Sequence, residues 1–242
     1  MHKVFVTGVS KFAKVSVFSG MNNAKDLTLM PELNDVVGLT KDDIVHYFDD
    51  YLTELELKYS FSRVEALSHI KHWYNGYSWD GENRIYNPFS IVHFFDRLEF
   101  QNFWYQSGTP TMLIKLIMEK AYQGIAPKKP TEYEQIQVTQ TVFDTAEIDN
   151  INIEGLLFQT GYLTIVDKEG TSMPPFYTLD YPNHEVRWSF MAHILETYAQ
   201  MPKREIEPGA LRLKRALQQG NQDLFLKLLR SYFALIPYQL RK

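Results

Sequence analysis

The sequence contains no cysteine, which removes disulfide frameworks, cysteine-ligated zinc and thiol catalysis together and fits a reducing compartment. Long apolar runs are also missing. No stretch approaches the roughly eighteen consecutive apolar residues of a membrane-spanning helix, and the short run before Gly8 and Lys11 is too brief for a signal-peptide core. Glycine-based phosphate cradles are absent as well. None of the 12 glycines precedes a lysine, so G-x-x-x-x-G-K-[ST] does not occur, and neither does G-x-G-x-x-G. The G-x-S-x-G, H-E-x-x-H and EF-hand patterns are likewise missing. An excess of one charge sign is lacking too. The 25 Lys plus Arg against 29 Asp plus Glu give a net charge of -4, which argues against a whole-protein role in binding polyanions or anionic membranes. A soluble cytoplasmic protein is expected, with no nucleotide site of its own.

The chain does have the material for a core. Of its 242 residues 45% are hydrophobic and 14% aromatic, a globular composition whose length suits one large domain or two small ones. Val4, Phe5 and Val6 form an apolar run ended by Thr7-Gly8, the pattern of a strand buried on both faces. The other strand-like runs are Val15 to Phe18, Ile136 to Phe143, Tyr162 to Val166 and Phe176 to Leu179. They do not alternate with helices as in a doubly wound sheet, so the first strand is expected to lack its neighbours and both chain ends read as internal positions.

Most remaining signals are helical. Thr40 to Asp43 resembles a capping box and precedes Ile44, Val45, Phe48, Tyr51, Leu52 and Leu55 on one expected face. Ser62 to Glu65 is a fuller capping box, opening a helix to Trp73 that stops near Asn75-Gly76. Asn87-Pro88 and Thr109-Pro110 each place a capping side chain before a first-turn proline. The run to about Tyr122 reads as all-helical, and Gly124 to Tyr133 as a linker. A short helix over 151–161 followed by two strands reads as the second half of a winged-helix unit. Pro182-Asn183 caps a further helix, and the end reads as a helical hairpin, Pro208 to Gln219 and then Leu224 to Phe233.

Charge is divided unevenly between the two ends. Ala24 to Lys58 carries nine acids and three bases, whereas Lys203 to Lys242 carries nine bases and three acids. Two solvated faces would produce this division, and so would a basic hairpin, with Arg212, Lys214 and Arg215 at its centre, that docks on nucleic acid. His69 and His72 lie three apart on a helix and either share a metal or rest on the surface near Trp73. Thr7, Ser10 and Lys11 follow a buried strand end, where a phosphate could be sensed or a turn merely capped.

Phe5-Val-Thr-Gly-Val-Ser-Lys-Phe12 continues through Lys14-Val-Ser-Val-Phe-Ser-Gly20 to Asn22-Asn23 and Asp26-Leu27-Thr28. Further motifs follow in order: Trp73-Tyr-Asn-Gly-Tyr77, Tyr86-Asn-Pro-Phe-Ser90, Phe103-Trp104 with Gly108-Thr-Pro110, and Leu157-Phe-Gln-Thr-Gly-Tyr-Leu163. Tyr181-Pro-Asn183 with Glu185-Val-Arg187, and Ile236-Pro-Tyr238, complete the set. Together they resemble the bacterial AAA-ATPase-like family that usually carries a C-terminal PD-(D/E)XK nuclease domain. The resemblance implies the middle of such a protein, with the phosphate-binding loop and magnesium-coordinating acids upstream and the nuclease downstream. ATP and Mg2+ would then be cofactors of the parent, with none bound by this chain alone and no catalytic residue within it. Thr7, Ser10 and Lys11 would form the nucleotide-sensing segment, and Arg187 either contacts phosphate or pairs with a neighbouring acid.

The expected organisation is mainly α with small β elements: a remnant of an α/β core at 1–22, a helical lid at 23–125, a winged-helix-like module at 126–202 and a helical hairpin at 203–242. A different class remains open, a non-enzymatic DNA- or protein-interaction module built on the winged helix and the basic hairpin. The partners implied are the missing regions of the same protein and, in the second reading, nucleic acid.

Overall fold

The computed structural model describes residues 25–104, 130–143, 152–170, 175–199 and 203–235. The strand expected at Val4 to Thr7, its hairpin partner at Val15 to Phe18, the Thr109-Pro110 helix start and most of the linker lie outside these residues. Among the described residues the architecture is mainly helical, with eight α-helices and two small antiparallel sheets. The chain divides into two compact units, residues 1–187 and 188–242.

The first unit opens with α1 (Lys41–Tyr47), α2 (Asp49–Tyr59) and α3 (Arg63–Tyr74). Both predicted capping boxes form: the Thr40 hydroxyl accepts from the Asp43 N–H while the Asp43 carboxylate accepts from the Thr40 N–H, and Ser62 and Glu65 do the same. These bonds favour the ionised acids and hold Asp43 and Glu65 below the usual carboxylate range. The single apolar face expected from Ile44 to Leu55 does not form, because the helix breaks at Phe48. Ile44, Leu52 and Leu55 are buried, whereas Val45 and Tyr51 remain exposed. Phe48 instead stacks on Phe95, with ring centroids 4.4 Å apart.

The region read as all-helical also holds a hairpin. Helix α3 passes directly into β1 (Asn75–Tyr77), which pairs with β2 (Ile85–Tyr86), so Asn75-Gly76 starts a strand as well as stopping a helix. The connecting turn is built on Asp80, whose carboxylate accepts from the Ser78 hydroxyl and the Glu82 and Asn83 N–H groups, each at 2.9 Å. Burial raises the Asp80 pKa, but the hydrogen bonds outweigh it and hold it below its ordinary value. Asn87 then caps α4 (Pro88–Arg97) by accepting from the Phe89 N–H at 2.9 Å. The core of this region joins Ile44, Leu52, Leu55, Ala66, Ile70, Tyr74, Ile91, Phe94 and Phe103, all fully buried. Burying the Ile, Leu and Phe side chains among them contributes about 1.5–3 kcal/mol each.

Beyond residue 130 the elements are β3 (Ile136–Thr139), α5 (Ile153–Gln159), β4 (Thr164–Glu169), β5 (Phe176–Asp180) and α6 (His184–Ala199). The predicted strand reaching Phe143 ends at Thr139, and a 3-10 turn over Gln140–Phe143 follows. The sheet order is β3-β5-β4, with β5 central and both pairings antiparallel. Phe143 packs on Phe158 at 4.6 Å and edge-on to Tyr177 at 5.0 Å, which seats α5 and the sheet around one small aromatic cluster.

The second unit contains the hairpin of α7 (Lys203–Gln218) and α8 (Gln222–Leu235). Its first helix starts before Pro208, the expected beginning, and carries that proline inside it. Gly220 makes the predicted break with φ +65, in the left-handed region that glycine adopts cheaply. No described helix is long and apolar enough to cross a membrane.

Candidate functional site

The Phe103-Trp104 motif meets the Glu185-Val-Arg187 motif at one place, the buried carboxylate of Glu185. The turn before α6 fixes its position: Asn183 Oδ1 accepts from the Val186 N–H at 3.0 Å, so Glu185 lies in the first turn with its side chain 1% exposed. Its Oε1 accepts from the Phe103 N–H at 2.6 Å and the Trp104 N–H at 2.7 Å, two consecutive donors more than eighty residues away in sequence. Asn102 reinforces the junction by donating to the Glu185 carbonyl at 3.4 Å. The Trp104 indole stands edge-on to Tyr162, with centroids 4.6 Å apart.

Burial pushes the Glu185 carboxyl up to about 7, against the opposing pull of the Trp104 N–H, the Ser90 hydroxyl and the Phe103 N–H. The Ser90 hydroxyl lies near enough to lower it, though outside strict hydrogen-bond geometry. Burial likewise drives the Tyr77 hydroxyl far above its ordinary value; the negative charge of Glu185 adds to that shift and the Asn87 side chain opposes it. A buried, near-neutral carboxyl among phenol and hydroxyl groups can take up or release a proton around pH 7, and it can hold two backbone N–H groups in either state.

Other contacts join neighbouring stretches of the first unit. The Ser78 N–H donates to Thr164 Oγ1 at 2.7 Å, and the Thr164 hydroxyl donates back to the Ser78 carbonyl at 2.8 Å. Arg84 reaches the Val166 carbonyl at 3.1 Å. His184 stacks on His72 at 5.0 Å and stands edge-on to Trp73 at 4.6 Å. Trp73 to Tyr77, Phe103-Trp104, Tyr162 and Glu185 therefore belong to one packed junction. The aromatic spacing suggested core packing, but nothing local in the sequence marked Glu185 as the centre.

The remaining candidates fall in different places. Thr7, Ser10 and Lys11 lie outside the described residues. Arg187 pairs with Glu134 at 2.7 Å, which realises the ion-pair alternative for this half-exposed side chain. His69 stacks on Phe61 at 4.6 Å whereas His72 faces His184, so the two imidazoles engage separate partners. Among the described residues no group of three His, Asp or Glu side chains could hold a metal ion. Arg212, Lys214 and Arg215 are all exposed on α7.

The chain is 35% identical over 236 residues to an "Uncharacterized protein in vnfD 5'region" from Azotobacter chroococcum mcd 1, a match covering 96% of this chain. It spans 42% of that relative's length. No family model matches the chain, and no solved structure does.

Proposed function

We propose that this chain is the sensor, lid and winged-helix portion of an AAA-like P-loop ATPase. In this reading it couples ATP binding and hydrolysis, at a site completed by upstream residues, to an appended effector domain of the PD-(D/E)XK nuclease type. The observation that carries the reading is the convergence at Glu185. Motifs scattered from Trp73 to Glu185, which resemble one family when taken in order, pack into one junction of the kind a lid needs in order to move as a body. The helix α5 followed by the β4–β5 hairpin supports the winged-helix part, and a relative more than twice as long supports a portion of a larger protein.

In this reading the chain does not complete an ATP–magnesium site by itself. Arg187 pairs with Glu134. Any nucleotide contact made by this chain falls to Thr7, Ser10 and Lys11. Calorimetric titration of the chain alone with ATP and magnesium is expected to show no micromolar binding, and micromolar binding would sink this reading. In the parent protein, reading upstream should reveal G-x-x-x-x-G-K-[ST] within roughly two hundred residues. Thr7→Ala there is expected to lower hydrolysis about a hundredfold, the loss typical of removing one polar group that stabilises transferred charge. Unchanged hydrolysis would remove Thr7 from the sensor role.

A second reading, an interaction module that binds DNA, is favoured by the exposure of Arg212, Lys214 and Arg215. Leu224 on the following helix is 40% exposed as well, so this part of the hairpin is not wholly covered. Binding through these cations would fall steeply with salt and depend little on sequence. A duplex-DNA gel shift at low and moderate salt separates the readings. The ATPase reading expects no tight complex, whereas tight binding abolished by changing all three to Glu would establish the module.

A further inference from the structure

We propose that Glu185 is a proton-dependent latch: its protonation state sets how firmly the Phe103–Trp104 backbone is held to the head of α6, and ionisation eases local opening there. The geometry carries this. One carboxylate oxygen takes both N–H groups, at 2.6 and 2.7 Å, and the side chain is almost completely removed from water. Opening the junction would hydrate the carboxyl and return it to an ordinary carboxylate environment. The two N–H donors favour the ionised carboxylate, but burial favours the neutral form and outweighs them, so the closed state binds the proton more tightly than the open one.

The sign follows from that difference. The closed carboxyl is raised to about 7 from an ordinary 4.5, so closure is fully supported below pH 4.5, weakens as pH rises towards 7 and levels off above it. Across that window the opening constant should rise on the order of a hundredfold. Around the carboxyl stand Tyr74 at the end of α3, Tyr77 on β1 and Ser90 on α4; on α6 itself, His184 and Arg187 flank it in sequence. Burial raises the Tyr74 and Tyr77 hydroxyls, so neither ionises with the carboxyl. His184, stacked on His72, belongs to a residue type that does titrate near neutrality, so the test must separate the two. The latch concerns this chain alone and does not depend on the nucleotide reading.

The test is amide hydrogen exchange at Phe103 and Trp104 in the whole chain from pH 5 to 8, corrected for intrinsic exchange, in the wild type and in Glu185→Gln. The amide oxygen of glutamine can still accept both N–H groups but cannot ionise. Wild-type opening is expected to rise about a hundredfold while the variant stays flat. Equal pH dependence in both proteins would assign the effect to the histidines and overturn the latch, as would a flat wild type. Carboxyl carbon NMR of Glu185 provides a second measurement that needs no variant. A midpoint near neutrality supports the proposal, and one near 4.5 overturns it.

Discussion

Gly76→Ala is expected to destabilise the protein by at least about 3 kcal/mol, enough to leave a marginal domain largely unfolded. Two costs add at this position. Its φ of +138 lies in a region that side-chain-bearing residues rarely adopt. An added Cβ would also stand 1.8 Å from the Pro182 carbonyl oxygen and 2.7 Å from its carbonyl carbon. Relief would require moving backbone, and the Pro182 segment leads straight into the turn that presents Glu185. Gly220→Ala is the control, because nothing lies within 4 Å of its Cβ position and only the left-handed φ of +65 is penalised. Its cost should be about 1 kcal/mol. Urea unfolding of both variants checks this, and equal losses would show that the approach of Pro182 to β1 is not a tight constraint.

The second large effect belongs to Glu185→Ala. Removing the carboxyl leaves the Phe103 and Trp104 N–H groups without their shared acceptor and opens space among packed aromatics. An unsatisfied buried donor costs about 1–3 kcal/mol, so the pair should lower stability by about 3–5 kcal/mol. Glu185→Gln keeps the acceptor and should lie within about 1.5 kcal/mol of wild type at pH 5, where the native carboxyl is largely neutral as well. The contrast between the two variants, read by thermal and urea unfolding at pH 5, is the measurement. If both lose the same stability, the hydrogen bonds to Phe103 and Trp104 are not what holds the junction.

Legibility in the sequence followed the range of the interaction. Thr40 with Asp43, Ser62 with Glu65, and Asn87 before Pro88 place donor and acceptor within three residues, so the order of the chain already contains the geometry. The turn at Gly220 and the antiparallel pair β4–β5 were readable for the same reason. The break at Phe48 was not, because a continuous apolar periodicity runs through it and only the stacking on Phe95, from a helix forty residues later, reveals the site. The β1–β2 hairpin was hidden in a helix-stop signal, since two- and three-residue strands leave too little alternation to detect.

The helical class and the capped helix starts follow from residue types and their local spacing. The neighbours of Arg187 in the chain left it between a phosphate and an acid, and its ion-pair partner, Glu134, lies fifty-three positions away. Glu185 shows the same limit more strongly. Its residue type is that of a solvated helix-start acid, and its first-turn position favours negative charge. Its burial, which raises its pKa against the opposing pull of the Phe103 and Trp104 N–H groups, arises only when distant parts of the chain pack over it. Capping energies act within one turn and are written in the sequence; desolvation is a property of everything packed around a group, so it comes into being only with the assembled fold.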